Sequence, residues 1–230
     1  DEVGLPQEKA MTLFRPFLVK KMVDIGVAEH PLDAQKMLGE KGANKNKQIQ
    51  KALDLVMEER PVIMKRDPSL HKHSVQAFNA RRVPGKAVQI HPLVTSGYNA
   101  DFDGDAMSVY VPISDEAREE ARGMFPSNNL FNVATGSVTN VPTLESALGL
   151  FKMSRMTGKA TKSFNSGAAA LKAVEDGKLT VNQAVNVKGV GKTTAGRVLL
   201  SAALPKEMQK RMLTDASLSL DKKGLPKLYE

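Results

Sequence analysis

The sequence contains no cysteine, and no apolar run reaches the roughly 18 residues needed to span a bilayer. Disulfides, thiolate zinc sites and cysteine nucleophiles are therefore excluded. No signal-peptide pattern opens the chain, and it contains neither an internal repeat nor a low-complexity tract. Its 41% hydrophobic and 25% charged residues are typical of an ordinary folded protein. We therefore expect a cytoplasmic chain with no membrane partner.

Charge is distributed unevenly along the chain, whose formal net charge is +8. Residues 60–92 carry seven Lys or Arg against one acid, and they include three of the four histidines. Residues 101–122 carry seven Asp or Glu against two Arg. A basic segment next to an acidic one suits a site that holds phosphates and cations together. Two solvated faces of opposite charge are the alternative.

The apolar pattern predicts helices first and strands afterwards. Residues 1–59 are expected to be mostly helical, with a helix start at Pro6 and a break at Pro16. Lys47 to Arg60 forms an amphipathic stripe that ends before Pro61. Short apolar stretches separated by Pro and Gly then predict strands at residues 62–64, 75–78, 88–94 and 107–113, with a turn at Pro84-Gly85. The pattern is typical of a compact, barrel-like β unit.

Helices are predicted again after this β unit. Ser114 can cap a helix whose first turn is acidic, Thr143 begins another, and residues 168–175 form a third that Gly177 closes. Alternating helical and strand patterns of this kind place the chain in the α+β class.

Three alternating carboxylates, Asp101, Asp103 and Asp105, are the candidate chemical centre. In an extended strand, alternate side chains lie about 6.6 Å apart, which is too wide for one ion. The segment must therefore curl, and Gly104 supplies the conformational freedom to do so. Convergent carboxylates without histidine or sulfur suit a hard cation such as Mg²⁺. An exposed acidic turn is the alternative.

Two other motifs fail on inspection of their spacing. A calcium-binding EF-hand loop would need glycine at 106 and glutamate at 112, where Ala106 and Pro112 stand. Gly191-Lys192-Thr193 is similar to the end of a phosphate-binding P-loop, but Asn186 stands where that motif needs glycine. We expect a structural turn at residues 191–193, with at most some phosphate contact.

The segment from Gly85 to Asp105 closely resembles the active-site region of the β′-type largest subunit of bacterial RNA polymerase. The signature of that family is NADFDGD, and all seven residues stand at positions 99–105. The resemblance covers nearly the full chain and thins after residue 157. Its other parts match a GLP…FRPF approach, an NRAPTLHR-like segment with Gln76-Ala77-Phe78, and later motifs at residues 127–129, 141–150 and 193–205.

The resemblance implies a partial double-psi β-barrel that carries the catalytic loop, with helical insertions and a mainly helical pore or funnel domain. We expect the barrel region over residues 1–125, with a helical insertion at 6–60, and the pore-lining domain over residues 126–230. The first strand of the barrel is expected to be missing, so that a neighbouring chain or a longer polypeptide completes it. The implied partners are the β-like second largest subunit, other polymerase subunits, the remaining β′ parts, the DNA template, the RNA transcript and nucleoside triphosphates.

The resemblance also implies roles for individual residues. Asp101, Asp103 and Asp105 would hold one Mg²⁺ and help to bind a second that arrives with the nucleoside triphosphate. Asn99 and Arg66 would contact ribose, and Pro68 would shape that pocket. The chain departs from the family at three positions near this site, with Lys65 for Asn, Asp67 for Ala and Ala106 for Gln. These departures indicate a divergent member of the family. One interpretation is a viral member that acts in an infected host cell.

The expected function is therefore that of a catalytic fragment of a DNA-directed RNA polymerase, a nucleotidyltransferase that is active only in the assembled complex. A non-catalytic nucleic-acid-binding or assembly module that retains the triad is the alternative. A polymerase that copies RNA and another magnesium-dependent enzyme, such as a phosphatase, are further alternatives.

Overall fold

A computed structural model describes residues 1–133, 135–215 and 217–221 of the chain. The chain divides into two compact units, Asp1–Pro142 (unit 1) and Thr143–Glu230 (unit 2). The described residues contain ten α-helices and seven strands, and the strands form two small sheets, so the fold is α+β, as predicted. No helix of the described residues has both the length and the apolar content to cross a membrane.

Unit 1 contains six helices and four strands in its described residues. In chain order they are β1 (Glu2–Pro6), α1 (Gln7–Leu13), α2 (Arg15–Asp24), α3 (Pro31–Gly39), α4 (Lys47–Glu59), β2 (Val62–Lys65), β3 (Val75–Val83), α5 (Thr95–Tyr98), β4 (Ser108–Tyr110) and α6 (Asp115–Gly123). The strands lie in the order β1-β3-β2-β4. β1 is parallel to β3, whereas β2 is antiparallel to both of its neighbours.

A single apolar core joins the helices of unit 1 to its sheet. Strand residues such as Leu5, Met64 and Phe78 belong to the same buried cluster as Phe14 and Leu53 from the helices. α4 buries the apolar stripe that the sequence predicts, and Asn46 accepts hydrogen bonds from the first backbone N–H groups of this helix. Burial of this stripe holds the helices against the strands and so fixes the sheet that carries the candidate site.

Several predicted elements of unit 1 are confirmed. β2 and β3 contain the strands predicted at residues 62–64 and 75–78, and β4 covers part of the strand predicted at residues 107–113. Ser114 accepts a hydrogen bond from the N–H of Ala117 and caps α6. The break before α2 is also present, but it falls at Phe14, and Pro16 lies in the first turn of α2, where its missing N–H costs nothing.

The structure differs from the sequence-based expectation at two places in unit 1. α1 begins directly after Pro6, as predicted, but residues 2–6, in the region expected to be mostly helical, form β1, because they pair with residues 79–83 of β3. Gly4 permits this packing, since a Cβ there would lie 2.6 Å from Cγ1 of Val83. The strand predicted at residues 88–94 is reduced to one bridge between Gln89 and Gly4, followed by a 3₁₀ turn at Pro92–Val94.

Unit 2 comprises α7 (Leu144–Ser154), β5 (Ser163–Phe164), α8 (Gly167–Glu175), β6 (Val185–Val187), β7 (Gly191–Thr193), α9 (Ala195–Ala202) and α10 (Lys206–Thr214) among its described residues. The helices predicted from Thr143 and over 168–175 are confirmed. The turn predicted at residues 191–193 is wrong, because these residues pair with β6 as an antiparallel strand. The positive φ of 90° at Gly191 places the reversal at the start of this strand.

Candidate metal centre

The three aspartates lie on one curled loop of unit 1, residues 99–107, which we call the triad loop. Asn99 ends α5 in the left-handed conformation, with φ 48° and ψ 44°, and Gly104 has φ 119°. One carboxylate oxygen from each of Asp101, Asp103 and Asp105 lies within 4.8 Å of the others. The predicted curl is therefore present, and it gathers three exposed carboxylates on one side of the loop.

The buried side chain of Tyr98 connects the start of the triad loop to β2. This side chain is 1% exposed, and its phenol donates a hydrogen bond to the carbonyl of Met64 on β2 at 3.2 Å. Gly97 packs closely against the segment before β3, since a Cβ at this position would be 2.9 Å from the carbonyl oxygen of His73. The short helix α5 thus packs closely on the segment between β2 and β3, and the triad loop follows directly from it. Tyr98 directly precedes the NADFDGD motif, but its residue type and position alone did not predict this structural role.

Arg66 joins the sheet to the triad. Its Nε and Nη2 donate to Oδ2 and Oδ1 of Asp105 at 2.9 and 3.0 Å, and its Nη1 donates to the carbonyl of Tyr98 at 3.4 Å. Oδ2 of Asp105 also accepts the backbone N–H of Asp101 at 3.2 Å. A bidentate guanidinium–carboxylate pair fixes the plane of the carboxylate as well as its position. Of the three aspartates, Asp105 is therefore the one held by the rest of unit 1.

The three carboxylates differ in their electrostatics. The hydrogen bond from Arg66 lowers the pKa of Asp105 below its ordinary value, because it stabilises the charged form. The pKa of Asp103 is raised, first by a hydrogen bond shared with Asp101 and then by repulsion from that charge. The carboxyl groups of Asp101 and Asp103 thus lie close together, and a bound cation would offset the repulsion between them when both are charged.

This donor set fits Mg²⁺. Its oxygens are all from carboxylates, the ligands that hard cations prefer. At Mg–O distances of about 2.1 Å, oxygens around an octahedral Mg²⁺ lie about 3.0 Å apart when adjacent and about 4.2 Å apart when opposite, so three oxygens that lie within 4.8 Å of one another could hold the ion after closing further onto it. The site is thus a candidate centre for a divalent cation.

The other predicted site residues lie near the triad to different degrees. Asn99 is exposed at the start of the triad loop, and Arg66 contacts Asp105 directly. Pro68 lies in the exposed segment after Arg66. In the described residues, the contacts that hold the triad run through Arg66 and Tyr98 rather than Pro68, whose role stays a prediction.

Most cations of the basic segment at residues 60–92 are engaged within the protein. Lys65, Arg81 and Arg82 pair with nearby acids, and Arg60 lies 4.0 Å from the centre of the Phe17 ring. Only Arg66 of this segment pairs with the triad in the part of the chain that the structure describes. Most cations of the basic segment therefore pair within unit 1, and the expectation that this segment contacts phosphates stays a prediction.

The three histidines of the same segment have local structural surroundings. The Nδ1 of His91 accepts the backbone N–H of Leu93 at 3.2 Å and caps a 3₁₀ turn. His73 is 8% exposed, and burial lowers its pKa. Its ring lies 5.9 Å from that of His71, centre to centre.

Comparison with known proteins identifies the family. Residues 1–126 match the family described as RNA polymerase Rpb1, domain 2, and the chain belongs to this family. The β′ subunit of DNA-directed RNA polymerase from Pelotomaculum thermopropionicum is 36% identical over 238 residues, covering 100% of this chain and 20% of that subunit. The β′ subunits of Syntrophomonas wolfei and Streptomyces coelicolor are each 39% identical, covering 87% and 81% of this chain and 17% and 14% of those subunits.

These relatives confirm the bacterial type of largest subunit that the motifs predict. The chain spans a fifth or less of the length of the relatives named above.

Proposed function

We propose that this chain carries the catalytic centre of the largest subunit of a DNA-directed RNA polymerase, where RNA is extended from nucleoside triphosphates on a DNA template. The observation that supports this most directly is the gathering of three carboxylates within 4.8 Å, in a chain of the Rpb1 family. Activity is expected only in the assembled complex. Its other components would be a β-like second largest subunit, further polymerase subunits, the remaining β′ parts and the nucleic acids.

The proposed architecture is a double-psi β-barrel region over residues 1–125 and a pore-lining region over residues 126–230. Two features of unit 1 support the first part. β1 is bonded to β3 on one side and, through a single bridge at Gly4, to Gln89 on the other, so its outer edge is partly covered. The triad loop leaves the short helix α5 and enters β4, which places the three aspartates beside the sheet.

In this proposal, Asp101, Asp103 and Asp105 hold Mg²⁺ through their carboxylate oxygens. The chemistry supplied by the bound ion is Lewis-acid stabilisation, which lowers the pKa of the RNA 3′-hydroxyl and offsets charge on the reacting phosphate. The incoming nucleoside triphosphate is expected to bring a second Mg²⁺ as part of the substrate. The protein's own part is positioning and charge neutralisation, since phosphoryl transfer requires little covalent chemistry from side chains.

Asn99 and Arg66 are the proposed ribose contacts, with Pro68 shaping the pocket beside them. The left-handed backbone of Asn99 turns its exposed side chain out at the point where the triad loop begins. Arg66 has one nitrogen, Nη1, held only by a long bond of 3.4 Å to a carbonyl, so this nitrogen is the most readily available to a substrate hydroxyl.

The test is RNA extension by the assembled polymerase with Asp103→Ala in this chain. Loss of a metal ligand is expected to lower the extension rate by more than about 100-fold, beyond the effect typical of a residue that only supports a ligand. Asp24→Ala is the matched control, because Asp24 is an exposed aspartate at the end of α2, outside the triad. Co-elution of the subunits would show that both variants assemble.

Normal extension by Asp103→Ala at ordinary magnesium concentrations would contradict the proposal. The chain would then be a non-catalytic nucleic-acid-binding or assembly module that retains the triad.

A further inference from the structure

Arg66 and Asp105 are linked more closely than a ribose-contact role for Arg66 requires. Both oxygens of Asp105 are engaged by one guanidinium, at 2.9 and 3.0 Å. Both side chains are about one-fifth exposed, at 20% and 21%, so the pair is partly withdrawn from water. Arg66 directly follows β2, whereas Asp105 lies 39 positions later on the triad loop. The pair therefore ties the loop to the sheet.

Tyr98 makes a second connection between β2 and the triad loop. Tyr98 donates its phenol to the carbonyl of Met64, two residues before Arg66, and accepts Nη1 of Arg66 at its own carbonyl. Two hydrogen bonds of Tyr98 therefore connect the end of β2 to the start of the triad loop, in addition to the pair between Arg66 and Asp105. Tyr98 is 1% exposed, so this part of the connection is buried.

The bonding of Asp105 is also specific in detail. A carboxylate offers about four lone-pair positions, two on each oxygen. Oδ2 accepts both Nε of Arg66 and the N–H of Asp101, whereas Oδ1 accepts only Nη2 of Arg66. The remaining position is on Oδ1, so this carboxylate can keep its guanidinium partner and still offer one oxygen to a cation.

We propose that Arg66 is a positioning residue for the metal centre, which fixes Asp105 so that its Oδ1 is presented to the divalent cation. This inference rests on the function proposed above, because it assumes that the triad binds a cation. Asp105 is then the preset ligand. Asp101 and Asp103, whose carboxylate oxygens lie within 4.8 Å of each other and of Asp105, are the ligands that close onto the ion.

Replacement of Arg66 has two opposing effects on metal affinity. The positive charge of Arg66 repels the divalent cation at the triad, so removal of this charge would tighten metal binding if electrostatics dominated. Asp101 and Asp103 are exposed, and solvent screens the repulsion between Arg66 and a cation held there. Loss of a group that orients a ligand typically weakens metal affinity 10–100-fold. The positioning role therefore predicts weaker binding, and the sign of the change separates the two effects.

The experiment measures Mn²⁺ binding to the assembled polymerase by electron paramagnetic resonance, with Asp103→Ala defining the signal that belongs to the triad. Arg66→Gln is expected to raise the Kd of that signal about 10–100-fold. Arg66→Lys keeps the charge but loses the planar fork, so at least about tenfold of this weakening should remain. Arg81→Gln is the control, because Arg81 is a more exposed arginine of the same segment that pairs with Glu2.

Each outcome bears on the proposal. Unchanged or tighter Mn²⁺ binding in Arg66→Gln would overturn it, and so would full affinity in Arg66→Lys, since charge rather than geometry would then be sufficient. If Arg66→Gln fails to assemble, Arg66→Lys carries the test with the same expected direction. If the wild-type complex shows no Mn²⁺ signal that depends on Asp103, the proposed function itself fails and this inference with it.

Discussion

Replacement of Arg197 by methionine tests how unit 2 is held together. Arg197 is the largest of the fully buried side chains in the described residues. Its guanidinium donates to three backbone carbonyls, those of Ser154, Asp215 and Leu218. These carbonyls belong to the end of α7 and to the segment that follows α10, so one side chain on α9 joins three parts of the chain.

The expected loss of stability follows from those three bonds. A buried carbonyl left without a donor costs about 1–3 kcal/mol, so three of them cost roughly 3–9 kcal/mol. Removal of the buried charge offsets part of this loss, because a charged guanidinium costs desolvation energy when it is buried. The same desolvation lowers the pKa of Arg197. A net loss of about 3–5 kcal/mol is the value typical when one partner of a buried charged contact is removed. A unit of about 90 residues has roughly 5–13 kcal/mol in total, so much of the stability of unit 2 would be lost.

Hydrogen exchange followed by mass spectrometry measures this effect unit by unit. The slowest amides of α9 should exchange about 10²–10⁴ times faster in Arg197→Met, because exchange then follows opening of the whole unit. Amides of unit 1 should keep their wild-type rates. Arg211→Met is the control, since Arg211 is an exposed arginine on α10. Rates in α9 within about threefold of wild type would refute the reasoning that these bonds stabilise unit 2.

Two further substitutions, Gly97→Ala and Tyr98→Phe, test the packing of α5, the helix that precedes the triad loop. Gly97→Ala should destabilise the chain by about 1–3 kcal/mol and lower its Tm, because the new Cβ would lie 2.9 Å from the carbonyl of His73; an unchanged Tm would contradict this close packing. Gly149→Ala, within α7 and with no atom inside 4 Å, is its control and should raise stability by about 0.5–1 kcal/mol. Burial raises the pKa of Tyr98 far above its ordinary value of about 10, so its stabilising effect is present below pH 10 and is lost as pH rises further. Urea denaturation at pH 9 and 11 should therefore show a smaller alkaline loss for Tyr98→Phe than for wild type, by up to about 1.4 kcal/mol per pH unit, and equal losses would be the contrary result.

Local patterns in the sequence determined a large part of this protein. The amphipathic stripe of α4 and the cap at Ser114 depend only on neighbouring residues, so they could be predicted without a structure. The curl of the triad loop was also predictable, because three carboxylates at alternate positions cannot meet in an extended chain and Gly104 allows the bend. The motif around these aspartates was specific enough to indicate the family.

Only the tertiary structure decided which distant residues complete the site. Residues 2–6 look unlike a strand because Gly and Pro have low strand propensity, yet pairing with β3 makes them one. Arg66 belongs to a basic segment with seven cations, and nothing in their spacing shows that this one alone in the segment pairs with Asp105. Such pairings depend on how segments far apart in the sequence pack, and packing energies that involve many residues leave no periodic trace in the chain.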